Sequence, residues 1–301
     1  MSVNASQVGL MWCILIGSPA GSEAAVDELV QSVRSRRFRM GNAAARFVAA
    51  CLLCAAGAED GGGWSQPADP SLQEEGVCTI DVLDASELSH QQFIDRYAFS
   101  RPVVLRGLTD NTNFQLLCSK SSLLEKFGSL KVRLSTANTH SYRKVDVLFQ
   151  QYVDELLRPQ ARDALGSETL YFFGDNNFTE WQNLFDRYRP PPYVLPDTTG
   201  AYSFGIAGPG TGVPFHWHGP GYSEVIYGRK RWFLYPPGKE PHFHPNRTTL
   251  SWLRETYPYL PEEEAPLECT IRPGEVLFFP DRWWHATLNL DTSVFISTFL
   301  G

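Results

Sequence analysis

The C-terminal third of the chain alternates short apolar segments with turn residues. From residue 201 onward, runs rich in valine, phenylalanine, tyrosine and tryptophan are separated by glycine, proline and asparagine. Short runs of this kind, bounded by turn residues, are typical of β-strands, and many of them in series favour a jelly-roll or barrel. We therefore predict a barrel core over residues 201–301. The predicted strands are 202–207, 214–218, 223–227, 231–235, 267–272, 276–279, 286–290 and 293–299, with a helical excursion within 245–257.

Residues 76–200 mix helical and extended patterns. Ser89 is followed by Gln92 at the third position, which is the capping-box pattern of a helix start. The pattern predicts an α/β part that precedes the barrel, so the fold class is mainly β with flanking helices. The predicted helices are 89–97, 122–127, 145–157 and 178–188, and the predicted strands are 101–107, 132–135 and 170–173.

A short apolar run lies upstream of this domain. Residues 47–58 are apolar and end in small residues, Met40 stands just before them, and polar, glycine-rich sequence follows. This is the pattern of a cleavable secretory signal peptide, which we predict over residues 40–58; a buried helix is the alternative. Residues 1–39 are then an upstream extension, and residues 59–75 a flexible linker. The prediction places the protein in the secretory pathway, in the endoplasmic reticulum lumen.

Cysteines and glycosylation motifs agree with that placement. Removal of the leader leaves Cys78, Cys118 and Cys269, and an oxidising lumen allows disulfides. Three cysteines predict one disulfide and one free or buried thiol, without fixing which two pair. Asn177 and Asn246 each begin an Asn-x-Thr motif near turn-forming residues, so both are candidate N-glycosylation sites of a glycoprotein.

Charge and hydropathy narrow the classes of partner. The formal net charge is −7 and the basic runs are short, which argues against a nucleic-acid partner. No apolar run reaches the roughly 20 residues that a transmembrane helix needs. The partners that we expect are proteins, including a second copy of the chain.

The candidate chemistry lies in three histidines. His216 and His218 are one residue apart in a predicted strand, so their side chains point to the same face. His285 lies in a later predicted strand block, Asp281-Arg282-Trp283-Trp284-His285. This spacing is typical of a metal site on the inner wall of a small β-barrel, and ordinary core or surface histidines are the alternative. The common iron site of this type has a carboxylate where His218 stands.

Five ordered sequence blocks resemble the JmjC-domain family, in its small hydroxylase-like branch. The resemblance covers the chain from about Cys78 to the C-terminus and implies a double-stranded β-helix, a cupin-like jelly roll, with an iron and 2-oxoglutarate pocket at the barrel mouth. The blocks are His216-Trp217-His218, residues 228–237 (GRKRWFLYPP), residues 274–280 (GEVLFFP), Trp283-Trp284-His285 and residues 288–292 (LNLDT).

The resemblance also implies roles for individual residues. His216 and His285 match the two histidine ligands of the metal, and His218 takes the position of the Asp or Glu ligand. Lys230 matches the lysine that pairs with the distal carboxylate of 2-oxoglutarate, and Ser297 matches a hydroxyl residue on the last strand. Val213 stands where the family often has threonine.

Two functional hypotheses follow from this site. In the first, the protein is a pseudoenzyme with a degenerate iron and 2-oxoglutarate site, and it acts as a regulatory protein through protein–protein interaction. In the second, it is an Fe(II)/2-oxoglutarate-dependent protein hydroxylase, a dioxygenase, or another metal-dependent enzyme with a three-histidine site. Three imidazoles also suit Zn²⁺.

Overall fold

The computed structural model describes residues 61–64 and 69–301. The predicted upstream extension (1–39) and signal peptide (40–58) lie outside the described residues. In the described part, no helix is long and apolar enough to cross a membrane.

Short strands make up most of the regular structure, as the pattern predicts. The strands are β1 (Asp81–Asp84), β2 (Val103–Arg106), β3 (Lys131–Thr136), β4 (Lys144–Leu148), β5 (Leu170–Phe173), β6 (Gly200–Ala207), β7 (Gly221–Tyr227), β8 (Lys230–Tyr235), β9 (Leu267–Ile271), β10 (Glu275–Phe279), β11 (Trp284–Asn289) and β12 (Ser293–Leu300). The α-helices are α1 (His90–Phe93), α2 (Thr112–Leu117), α3 (Lys120–Phe127), α4 (Phe149–Gln151), α5 (Gln182–Phe185) and α6 (Thr249–Glu255); π-helical turns over Ile94–Ala98 and Tyr152–Leu156 extend α1 and α4. The 3₁₀ turns are Pro70–Leu72, Ala85–Glu87, Gly166–Glu168, Tyr257–Tyr259 and Glu262–Glu264.

The strands form two sheets that share a core. Across residues 81–300, one sheet has the order β1-β2-β10-β7-β12-β6-β5-β3-β4 and the other has the order β11-β8-β9. Neighbouring strands are antiparallel except β1 and β2. Leu277 of the large sheet and Trp232 and Leu234 of the small sheet belong to one buried cluster. The two sheets therefore enclose a jelly-roll core, which confirms the predicted fold class.

Helices cover the other face of the large sheet. Phe204 and Ile206 of β6 pack in one buried cluster with Phe114 of α2, Phe127 of α3 and Trp181. Strands that are buried on both faces carry apolar side chains in both directions, which is why β6 and β12 lack strict alternation. The capping box at Ser89 is present, with hydrogen bonds in both directions between Ser89 and Gln92.

Three predicted elements differ from the structure. Residues 214–218 are not a regular strand, because only His216 forms a bridge, to His285. Residues 144–148 form β4 rather than the start of a helix, since β4 pairs with β3 and Asp146 bonds Arg133 across the pair. The helix predicted over 178–188 is reduced to α5. Periodicity alone did not distinguish these cases because β-pairing partners are distant in sequence.

The described part of the expected linker packs on the domain. The indole of buried Trp64 donates a hydrogen bond to the carbonyl of Cys118, 3.0 Å away, and Leu72 is buried in a core cluster. The Glu75 carboxylate pairs with Arg229 at 2.8 Å. Within the predicted linker, residues 61–64 and 69–75 therefore pack on the domain.

A disulfide joins this N-terminal segment to the small sheet. Cys78 is bonded to Cys269 of β9, and Cys118 is a buried free thiol. This is the predicted number of bridges, and the structure supplies the pairing.

Candidate metal centre

The three histidines converge although two of them lie outside regular strands. Residues 211–218 run beside β11 and exchange backbone hydrogen bonds with it, including His285 N–H to His216 O at 2.8 Å and Thr287 N–H to Val213 O at 3.0 Å. This approach requires glycine at position 212, because a Cβ there would overlap the Thr287 carbonyl oxygen. The segment therefore acts as an irregular strand that presents His216 and His218 to His285.

The three rings are close enough together to share a metal ion. The ring centroids of His216 and His285 are 4.3 Å apart, those of His218 and His285 are 4.7 Å apart, and those of His216 and His218 are 5.5 Å apart. Each ring offers one nitrogen to a set that lies within 4.8 Å of one another. The structure thus brings together all three predicted ligands.

Backbone carbonyls fix the tautomer of each ring. The Nδ1 of His216 lies 2.9 Å from Pro214 O, that of His218 lies 2.8 Å from Gly219 O, and that of His285 lies 2.9 Å from Trp283 O. A carbonyl oxygen only accepts, so each Nδ1 carries the proton and each Nε2 keeps its lone pair free. Such contacts orient metal-ligating histidines.

Burial keeps these rings neutral. Desolvation lowers the pKa of His216 to about 4, and it lowers the pKa of His285 well below its usual value. Desolvation also lowers the pKa of His218. Neutral imidazole is the form that binds a metal ion, so the three rings are in the ligand form at neutral pH.

Aromatic side chains surround the cluster. The rings of Phe279 and Trp232 lie 5.0 and 5.7 Å from the His285 ring, and the Phe299 ring lies 5.0 Å from the His218 ring. Trp217, between two of the ligands, is instead 51% exposed. An apolar wall of this kind excludes water and strengthens electrostatic interactions inside the site.

Lys230 lies in the same cavity, as its predicted role requires. It is 4% exposed, and its Nζ lies 3.2 Å from Asn289 Oδ1 and 3.7 Å from the centroid of the Phe295 ring. Burial lowers the pKa of this ammonium to about 7. The side chain points into the cavity because Lys230 and Trp232 lie on one face of β8, and the equally buried Arg231 and Phe233 lie on the other.

The cavity also contains Ser297 and Val213, and it is small. Its volume is about 40 Å³, and a water molecule needs roughly 10–15 Å³ by this measure. This is room for a few water molecules, so a keto acid of the size of 2-oxoglutarate requires side chains to move. Sequence reasoning missed Asn289, which also lines the cavity; its signal was its position four residues after His285 on one strand face.

The residues present do not complete an oxygenase iron site. A 2-His-1-carboxylate triad supplies one anionic oxygen ligand, and the described residues that could share an ion here are the three histidines alone. No Asp or Glu side chain lines the cavity in the described part of the chain. The group that the fold implies therefore lacks its anionic ligand.

The predicted glycosylation sites differ in environment. Asn177 is exposed just before a turn, and its side-chain oxygen accepts a hydrogen bond from Glu180 N–H at 3.2 Å. Asn246 is half-buried, and its side-chain oxygen accepts one from Ser167 N–H at 2.9 Å; Thr248 of the same motif is buried as the cap of α6. The second His-x-His pair, His242 and His244, is exposed, as expected for surface residues.

Comparison with known proteins identifies the family. Residues 90–299 match the cupin-like domain family. JmjC domain-containing protein 8 of Homo sapiens is 65% identical over 254 residues, which cover 84% of this chain and 96% of the human protein. The 2-oxoglutarate and iron-dependent oxygenase JMJD4 of Gallus gallus is 28% identical over 202 residues, 58% of this chain and 47% of that protein. The structure of YcfD, a ribosomal oxygenase from Escherichia coli, has a TM-score of 0.46 and 18% identity, with 70% of this chain and 51% of that chain covered. The chain belongs to the cupin-like JmjC-domain family.

Proposed function

We propose that this chain is a luminal JmjC-fold protein that does not oxidise substrates and acts through contacts with other proteins. The observation that carries the proposal is His218, whose imidazole takes the position of the carboxylate ligand in an otherwise assembled site. A neutral imidazole removes one negative charge and one hard oxygen donor from the metal, and both favour iron in oxygenases.

The small cavity supports the same proposal. The Nζ of Lys230 lies at the cavity wall, against the Phe295 ring and bonded to Asn289. A dicarboxylate is larger than the space in front of this wall and would have to displace side chains to fit. The site retains the fold of an oxygenase pocket with little room for its co-substrate.

A placement in the endoplasmic reticulum lumen is part of the proposal. The predicted signal peptide, the Cys78–Cys269 disulfide and the exposed Asn177 motif all suit an oxidising, glycosylating compartment. Buried Cys118 suits it too, because a fully buried thiol is protected from exchange; burial raises its pKa well above the usual value.

Exposed aromatic residues support a binding role. More than half of the surface of Trp217, which lies between His216 and His218, is exposed to solvent, and the same is true of Tyr142. Aromatic residues are enriched where proteins bind each other. We propose proteins as the partners, including a second copy of this chain.

A protein hydroxylase is the second candidate. Lys230 and Ser297 are both present in the cavity with the three ligands, and the chicken relative described above is an iron- and 2-oxoglutarate-dependent oxygenase by name. In that case His216, His218 and His285 would hold the metal, and Lys230 would bind the carboxylate of the keto acid. When bound, the iron and the keto acid together supply the oxidising chemistry of the family.

One titration separates the two candidates. The full chain is loaded anaerobically with Fe(II) and titrated with 2-oxoglutarate, followed by the visible charge-transfer band and by release of CO₂ on admission of oxygen. We expect no band and no CO₂ above the protein-free rate. A band with turnover of the keto acid would overturn the proposal.

A further inference from the structure

The cavity around the histidines has an excess of hydrogen-bond donors. Lys230 is a buried amine whose described hydrogen-bond partner is the side-chain oxygen of Asn289. The Nε1–H of Trp232 is a buried donor without a partner in the described part of the chain. Both residues line the cavity together with the three ligands, and no carboxylate among the described residues balances them.

We infer that this cavity holds Zn²⁺ on His216, His218 and His285, with a small anion at the fourth position that Lys230 and Trp232 recognise. The inference rests on the proposed function, because it applies to a site that has lost its oxygenase ligand set.

The donor set supports zinc. Zn²⁺ is d¹⁰, has no need of an anionic oxygen ligand, and binds three imidazoles with one open position in four-coordinate sites. The three Nδ1–H groups bond backbone carbonyls rather than carboxylates, so the ligand set as a whole is neutral. The bound ion would keep its full double charge.

The charge count calls for an anion. A divalent ion on three neutral imidazoles brings two uncompensated positive charges into an aromatic-walled cavity that no carboxylate among the described residues lines. Burying charge without compensation costs several kcal/mol per ion. In an oxygenase site, one carboxylate ligand and a dicarboxylate keto acid would supply three negative charges. This cavity has lost the first, so an exogenous anion is the remaining source of compensation.

Cavity size limits the anion. A volume of about 40 Å³ admits a group of a few heavy atoms, such as hydroxide, azide, formate or bicarbonate. Trp232 is directly opposite Thr287 on β11, and Lys230 is directly opposite Asn289. The donors thus follow one another along the wall that begins at His285, where a metal-bound anion would meet them.

The first experiment measures the metal. The full chain is stripped of metal, checked by circular dichroism, and titrated with Zn²⁺ and with Co²⁺ as a spectroscopic probe. We expect one equivalent of each to bind, and the Co²⁺ protein to show the intense visible bands of four-coordinate cobalt. The variant His218→Ala should weaken binding at least about tenfold. The matched control His242→Ala removes an exposed histidine and should leave binding unchanged.

The second experiment measures the anion. Azide is titrated into the Co²⁺ protein, and its saturable effect on the visible bands gives the affinity. Lys230→Met should weaken azide binding about tenfold, and Trp232→Phe by a smaller factor, with metal affinity preserved in both. Weak bands of six-coordinate cobalt, or azide binding that ignores both substitutions, would overturn the inference.

The outcomes distinguish this inference from the proposed function. A chain that binds neither Zn²⁺ nor Co²⁺ while also failing to turn over 2-oxoglutarate refutes the zinc centre and leaves the proposed function standing. Turnover of 2-oxoglutarate with Fe(II) refutes both.

Discussion

His216 and His285 are joined both through their backbones and through their rings. His216 N–H donates to His285 O at 3.1 Å, His285 N–H donates to His216 O at 2.8 Å, and the ring centroids are 4.3 Å apart. The bridge fixes the separation of two candidate metal ligands that are distant in sequence. The third candidate ligand, His218, determines the charge and donor type of the site, because an imidazole stands there in place of a carboxylate.

Replacement of His218 by aspartate should change the metal preference. His218→Asp adds a negative charge and an oxygen ligand, so we expect the ratio of Fe²⁺ affinity to Zn²⁺ affinity to rise about tenfold, as measured by anaerobic competition. His242→Asp introduces the same charge at an exposed His-x-His and is the control. An unchanged ratio in the first variant would show that residue 218 does not contact the metal.

The charge of Lys230 should make stability depend on pH. Burial lowers its pKa from 10.5 to about 7 in the folded protein. Between those values the unfolded chain binds more protons, so the stability of the metal-free protein should rise with pH from about 7 to 10.5. Lys230→Met should remove this rise and be more stable than the parent at pH 7. Urea unfolding of both proteins between pH 7 and 10.5 measures the free energy of unfolding. If the two proteins show the same dependence on pH, the lowered pKa of Lys230 is contradicted.

The two glycosylation motifs should not be equivalent. Asn246 is half-buried, its Oδ1 accepts from Ser167 N–H and Thr248 of its motif is the buried cap of α6, so a glycan on its Nδ2 would crowd against the fold, whereas Asn177 is exposed. In cells that secrete proteins, Asn177→Gln should abolish the glycosidase-sensitive mobility shift and Asn246→Gln should leave it. Retention of the shift in the first variant and its loss in the second would reverse the assignment.

Removing one partner of the buried ion pair in the small sheet should strongly destabilise the folded protein. Arg231 Nε lies 2.8 Å from Glu268 Oε2, and both side chains are almost fully buried. Arg231→Met leaves a buried carboxylate short of its cation, which costs about 3–5 kcal/mol of unfolding free energy. The exposed pair of Arg133 and Asp146 is the control.

Arg133→Met should leave the free energy of unfolding nearly unchanged, because exposed ion pairs contribute little. Denaturant titration of both variants provides the comparison. Equal decreases in the free energy of unfolding for Arg231→Met and Arg133→Met would contradict this prediction.

Sequence pattern predicted the parts of the fold that depend on local order. The strand positions of β6 to β12 and the capping box at Ser89 follow from short apolar runs and from turn and cap residues, which act over a few residues. The motif blocks likewise identified His216, His218, His285 and Lys230, because residue identity at fixed spacing is a property of the chain itself.

Pairing in space decided the rest. Three features depend on partners distant in sequence: Cys78 rather than Cys118 bonds Cys269, residues 144–148 form a strand, and Asn246 accepts a hydrogen bond from Ser167. The same holds for the metal centre. The sequence by itself determined that three histidines of the right type were present and that one replaced a carboxylate. Only the tertiary structure decided that residues 211–218 lie against β11, so that backbone carbonyls orient all three rings toward one point in a cavity that holds a buried lysine and no carboxylate among the described residues.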